Sequence, residues 1–197
     1  MTIIILLALA VGILFGYGGL IPDLVLGNID FLITFTLCFL VASIGLEFGG
    51  NRKILSQIQS LGYQVIFLPL AVAMGSIVGS ILLGFFLGVP AGESAAIGAG
   101  FGWYSFSGVL LTKLHSIELG TLAFLTNVSR EVLSLLLTST VARYGGPYAA
   151  VAPGGATTMD VTLPLIVRYA GLDMALVAFI NGLVLTILVP ILIPLLV

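Results

Sequence analysis

Charge is what this sequence lacks most. Asp, Glu, Lys and Arg make up 7% of its 197 residues, where a soluble domain carries about 25%. So small a share excludes a water-solvated surface, and with it a soluble globular domain. The formal net charge is -2, and the six Lys and Arg residues form no basic patch, which excludes nucleic acid as a partner. Cysteine is nearly absent. The single Cys38 rules out an internal disulfide and reads as a buried small hydrophobe in an apolar run. A positive n-region is missing as well, so the opening MTIIILLALAVGILFGYGGL is expected to stay as a first membrane helix rather than act as a signal peptide. What fills the chain is apolar: 60% hydrophobic residues and a mean hydropathy of +1.29. These values define an integral membrane protein.

A membrane-spanning helix needs about 20 mostly apolar residues. The pattern predicts seven such segments, over 2–20, 29–48, 61–88, 93–112, 119–142, 147–169 and 172–197, in a single transmembrane domain covering 1–197. The fold class expected is therefore an all-α integral membrane protein. Lys and Arg concentrate on the cytoplasmic side. With seven crossings one set of loops holds Arg52, Lys53, Lys113 and Arg168, and the other holds only Arg143. That asymmetry predicts a cytoplasmic N-terminus and an external C-terminus. In the third segment Ala71, Gly75 and Gly79 recur every four residues beside Ser76 and Ser80, which predicts a close-packing ridge. Pro69, Pro190 and Pro194 read as kinks.

Arg130 and Glu131 sit side by side within LGTLAFLTNVSREVLSLLLTSTVAR. Glu131 falls roughly 18 Å from either end of that helix at 1.5 Å per residue. Each ionisable group at such depth costs about 2.5 kcal/mol or more. Asn127, Glu131, Ser134 and Thr138 fall on one helix face, with Arg130 at its edge. Such residues mark solute or proton paths by default; the plainer reading is an inert clamp between helices. Neighbours on a helix do not face each other, so Arg130 and Glu131 are not each other's natural partners.

The stretch Pro153-Gly154-Gly155-Ala156-Thr157-Thr158-Met159-Asp160 cannot continue a helix. It predicts a broken helix: a short half before Pro153, an unwound link, and a second half beginning near Thr158. Thr157 or Thr158 would cap that half, with Asp160 in its first turn. Backbone unwound at membrane depth is tolerated only against protein or a watery cavity, and secondary transporters build substrate sites from such breaks. The plainer reading is a loop in which Asp160 merely caps a helix. The fourth segment, AAIGAGFGWYSFSGVLLTK, sets Gly98, Gly100, Gly102 and Gly108 around Trp103, Ser105 and Ser107. Glycines at this density admit a ligand or a neighbouring backbone. His115 reads as an interfacial histidine, Glu47 as a partner of Arg52 or Lys53, and Glu118 and Asp173 as helix-start acids. Asn181, central in the last segment, either reaches the site or bonds to a neighbouring helix.

Three ordered stretches, GFGWYSFSGVLLT (100–112), AFLTNVSREVLSLLL (123–137) and GGATTMDVTLPLI (154–166), together with the tail GLDMALVAFINGLVLTILVPILI (171–193), resemble the lysine exporter family, LysO. The resemblance covers the latter half of the chain in letters and the first three segments in character. It implies export of lysine and its cationic analogues driven by an ion gradient, a transporter rather than an enzyme, located in the cell membrane. It implies that the family's two intramembrane acids fall on Glu131 and Asp160. It also implies kinship with the bile-acid, auxin and sodium–proton transporters, with their inverted repeats and crossing broken helices. Members are often longer, with further N-terminal helices; a small membrane subunit or a second copy of the chain is expected to supply them.

The expected site comprises Glu131, Asp160, Arg130, Asn127, Thr157, Thr158, Trp103 and Ser105. The acids hold ammonium groups, half-helix N–H groups near Thr157 and Thr158 take the carboxylate, and Arg130 steadies the acids. H+ or Na+ is the expected coupling ion, with no other cofactor and no metal site. Rival readings are an organic anion held by Arg130, a pore, and an intramembrane serine protease. The last lacks the G-x-S-G context, because Ser105-Phe106-Ser107-Gly108 has no leading glycine and His115 lies at the membrane edge.

Overall fold

The computed structural model describes residues 2–19, 21–50 and 64–197. Arg52, Lys53, the expected end of the first segment at Leu20 and the expected start of the third at Leu61 lie outside the described residues, as does any pairing of Glu47 with Arg52 or Lys53. Regular structure among the described residues is entirely helical. The chain divides into two compact units, Met1–Arg52 and Lys53–Val197.

The first unit holds α1 (Thr2–Tyr17), the short α2 (Asp23–Leu26) and α3 (Ile29–Gly50). Phe31, Phe35 and Phe39 stack at i, i+4 spacing along α3, with ring centroids 6.3 and 6.4 Å apart. Thr36 and Ser43 donate to the carbonyls four residues back, at 2.8 Å each, so their hydroxyls need no water. Cys38 is exposed on this helix, not buried as expected. An apolar run facing lipid accommodates a small hydrophobe as readily as a core does.

The second unit runs α4 (Gln64–Leu87), α5 (Ala91–Gly98), α6 (Tyr104–Leu114), α7 (Ile117–Gly145), a 3-10 segment (Ala149–Met159), α8 (Leu163–Ala170) and α9 (Met174–Leu196). Two described helices, over Phe67–Leu87 and Met174–Leu196, are long and apolar enough to cross a membrane. α4 exposes Phe67, Met74, Leu83, Phe85 and Phe86, a face that suits lipid and not water. α7 is longer still at 29 residues and carries Glu118, Arg130, Glu131 and Arg143. Val151, Ile166, Met174, Val177, Ala178 and Ile180 form a buried core where the 3-10 segment, α8 and α9 meet.

Three local expectations are corrected. Residues 93–112 are two helices, because the Gly-Ala-Gly-Phe-Gly run ends α5 at Gly98 and α6 starts only at Tyr104. In 147–169 the 3-10 turns run through Pro153 to Met159 and α8 begins at Leu163, so Asp160 precedes that helix instead of lying in its first turn. Thr157 and Thr158 cap no amide there; their hydroxyls donate to Gly154 O and Gly155 O at 2.9 and 2.8 Å. The packing ridge of α4 is Ser76, Ser80 and Gly84, not Ala71, Gly75 and Gly79. Ser76 Oγ donates to Gly98 O at 2.8 Å and Ser80 Oγ to Ser94 O at 2.5 Å, while a Cβ on Gly75 or Gly79 would meet no described atom within 4 Å. A serine hydroxyl can donate to carbonyls of α5 across the contact, which glycine cannot.

Candidate functional site at two crossing chain breaks

The break between α5 and α6 and the break within the 3-10 segment touch. Ala156 N donates to Phe101 O at 2.8 Å. Phe101, fully buried, takes φ +48, a conformation rare for a residue with a side chain. Gly155 takes φ 60, ψ -126, open in practice only to glycine. A Cβ on Gly155 would also collide with Phe101 O. Torsion and space therefore both demand glycine at the crossing.

Each break is held by an asparagine from a long helix. Asn127 on α7 accepts from Gly102 N at 2.7 Å, and its Nδ2 donates to Ile97 O at 3.2 Å and Ala123 O at 2.9 Å. Asn181 on α9 donates through Nδ2 to Gly155 O at 3.1 Å and Thr158 Oγ1 at 3.0 Å. Arg130 ties the second break to α4: Nε donates to Pro153 O at 3.0 Å, Nη2 to Ala152 O at 3.3 Å and Nη1 to Ser76 Oγ at 2.7 Å. Thr162 Oγ1 donates to Thr157 O at 3.0 Å. The backbone groups of this break are thus bonded by side chains of other elements, by its own Thr157 and Thr158 hydroxyls and by the backbone of the first break.

The predicted polar stripe of α7 is buried as a group. Asn127, Glu131, Ser134 and Thr138 are each at most 2% exposed. Ser134 Oγ donates to Glu131 O at 2.7 Å and Thr138 Oγ1 to Ser134 O at 2.6 Å. α7 packs on α5, α6, the 3-10 segment and α8, and Glu131 is buried on it. Thr157 and Thr158 are buried at the second break. Asp160 is exposed, and its carboxylate accepts from Val161 N at 2.5 Å. The two acids expected to share one pocket therefore stand in different surroundings. Trp103 is half-buried at the start of α6, stacked on Phe106 with centroids 4.5 Å apart, and Ser105 is half-buried two residues on. His115 lies 3.7 Å from Glu93.

A groove of about 540 Å³ opens beside Arg130, lined also by Thr126, Ser129, Ser134 and Pro153. Among the described residues no group of three or more His, Cys, Asp or Glu side chains could hold a metal ion. The oxygens gathered at the crossing belong instead to carbonyls, hydroxyls and amides. Phe101, Ser76 and Thr162 enter the site without having been placed there by sequence reasoning, whereas Asn181 was expected either to reach the site or to bond a neighbouring helix and bonds the second break. A signal for Asn181 was present: it follows Gly155 by 26 residues, as Asn127 follows Gly102 by 25.

Apolar helices gathered around two touching breaks define a helical membrane protein with discontinuous segments. The chain belongs to the lysine exporter LysO family, whose model matches residues 6–197. It is 36% identical over 159 residues to the lysine exporter LysO of Escherichia coli, a match covering 81% of this chain and 52% of that protein. The chain thus spans about half the length of that relative. It is 32% identical over 158 residues to a Haemophilus influenzae protein named "putative lysine exporter", covering 80% of each. No solved structure matches the chain.

Proposed function

We propose that this chain is a secondary transporter that exports lysine and cationic lysine analogues from the cytoplasm by antiport with H+ or Na+. Family membership supports the cargo. The burial of Glu131 carries the mechanism: an acidic residue 2% exposed, on a helix of 29 residues. A group so placed is held for pairing or for transport. In this reading the exposed Asp160 receives an ammonium group at the accessible edge and Glu131 receives it inside. A proton or Na+ arriving from outside displaces the cation from Glu131. Arg130, bonded to the second break, couples the position of the 3-10 segment to the occupancy of its neighbour Glu131.

The same proposal takes seven crossings, a cytoplasmic N-terminus and an external C-terminus, in the inverted-repeat style of the bile-acid and sodium–proton transporters. Lys113 and Arg168 in the last turns of α6 and α8, against Arg143 in the last turn of α7, support that orientation. Assembly as a homo-oligomer or with a small membrane subunit belongs to it too. Counterflow of labelled lysine in proteoliposomes tests the reading. Exchange by the wild type, and its loss in both Glu131→Gln and Asp160→Asn at normal protein levels, is expected; wild-type exchange by both variants contradicts it.

One observation favours a second cargo. A guanidinium has five N–H groups, three of those of Arg130 reach acceptors among the described residues, and the groove lies alongside. That leaves two for an organic anion. Competition of lysine uptake by anions lacking an amine separates the two readings.

A further inference from the structure

We propose that Asn181 is a ligand-binding residue of the transport site, whose side-chain oxygen accepts a monovalent cation: the ammonium group of the substrate or the alkali ion coupled to it. The inference rests on the transport reading above. Asn181 is 0% exposed in the first half of α9. Chemistry fixes the orientation of its amide. Nδ2 faces Gly155 O, which can only accept, so turning the amide over would set oxygen against oxygen. Thr158 Oγ1 already donates its proton to Gly155 O at 2.8 Å and therefore accepts from Asn181. Oδ1 is left facing the other way, and among the described residues it has no hydrogen-bond partner.

A buried amide oxygen gives up its hydration and here receives nothing in return from the described residues. Native folds retain such an atom where something else completes it. The missing partner must be a donor or a cation, since the atom is an acceptor. Neutral amide and carbonyl oxygens replace the hydration shell of alkali ions in other membrane sites and suit an ammonium group equally. Asn127 supplies the internal contrast. It performs the same clamping at the first break, but its Oδ1 is filled by Gly102 N. At the first break the whole amide holds backbone; at the second, half of it is reserved. Ser107 Oγ, also buried without a partner among the described residues, is a hydroxyl that both donates and accepts, so it does not specify an occupant as Asn181 does.

The test is the melting temperature of the purified full chain in detergent, titrated with sodium chloride, lysine hydrochloride or choline chloride at constant ionic strength. The wild type is expected to be stabilised by lysine or by sodium relative to choline, and which of them acts identifies the source of the cation. Asn181→Leu, which removes the oxygen at similar volume, is expected to raise the half-saturating concentration by about tenfold or more, a change of about 1.4 kcal/mol. Asn181→Asp, which keeps an oxygen but loses the clamp, is expected to melt lower and still respond to the cation. Gly120→Ala, a destabilised control at the α6–α7 contact, is expected to melt lower with an unchanged half-saturation. Should Asn181→Leu not fold, Asn181→Gln, which displaces the oxygen by one methylene, is expected to weaken the response in the same sense. Absence of any response in the wild type, or an unaltered half-saturation in whichever of the Leu and Gln variants folds, would mean that Oδ1 holds only water and would overturn the proposal. Lysine counterflow is a separate readout: a sodium response with no lysine exchange would sink the cargo reading and leave the cation site standing.

Discussion

Gly155, Arg130 and Glu131 carry most of what the crossing requires of single residues. Alanine at 155 would be strained at φ 60 and would drive a Cβ into Phe101 O, so Gly155→Ala is expected to cost about 2 kcal/mol or more. A lowered melting temperature in detergent checks this. Arg130→Lys retains the charge but not the planar fork. It is expected to leave at least one of Ala152 O, Pro153 O and Ser76 Oγ without its donor, at about 1–3 kcal/mol for each stranded group; the same melting assay reads it. Asn127, Arg130 and Glu131 were legible from sequence because a polar stripe in an apolar run is conspicuous. Phe101 and Thr162 were not, because an apolar residue at positive φ and a threonine bonded to a carbonyl look like any others. Asn181 was legible as a residue that reaches the site or bonds to a neighbouring helix, but which backbone groups it holds was not, since that depends on how the 3-10 segment packs.

At the scale of elements, apolar run length gave the long helices within a few residues of their ends. The interruptions were harder to place. Glycine density marks where a chain can break, but which carbonyls then find donors is a tertiary matter. Ser76 and Ser80 decided the α4–α5 contact, and Arg130 and Asn181 decided the 3-10 segment. The small-residue pattern on α4 was read one residue away from the face actually used. Gly75→Ala is accordingly expected to leave stability unchanged or raise it by up to about 1 kcal/mol, the helix-propensity gain. Gly120→Ala is expected to lower it, because its Cβ would meet Gly108 O at 2.6 Å and the Thr112 hydroxyl. The start of α7 gives a pH-dependent case. Ser116 Oγ accepts from Leu119 N at 3.2 Å. Glu118, on its own backbone N–H and the Ser116 hydroxyl, has a carboxyl held below its usual range. A lowered carboxyl stabilises the fold above its unfolded value, and that contribution is lost as pH falls through the folded one. Ser116→Ala is therefore expected to cost about 1 kcal/mol for the lost cap, with a larger penalty at neutral than at acid pH in melts across that range.

At the scale of the whole molecule, the second unit is a set of apolar helices closed around polar backbone. Low charge, long apolar runs and a few buried polar groups are one design: the lipid-facing side chains need no partners, so the polar groups that remain are concentrated at the crossing. The burial of Glu131 in the middle of α7 makes its carboxylate the candidate seat of a transported cation. Counterflow of labelled lysine in proteoliposomes containing this chain, comparing wild type with Glu131→Gln, tests that claim most directly. The account predicts saturable exchange by the wild type and none by the variant, with both proteins folded and equally incorporated. Exchange by Glu131→Gln at the wild-type rate would contradict it.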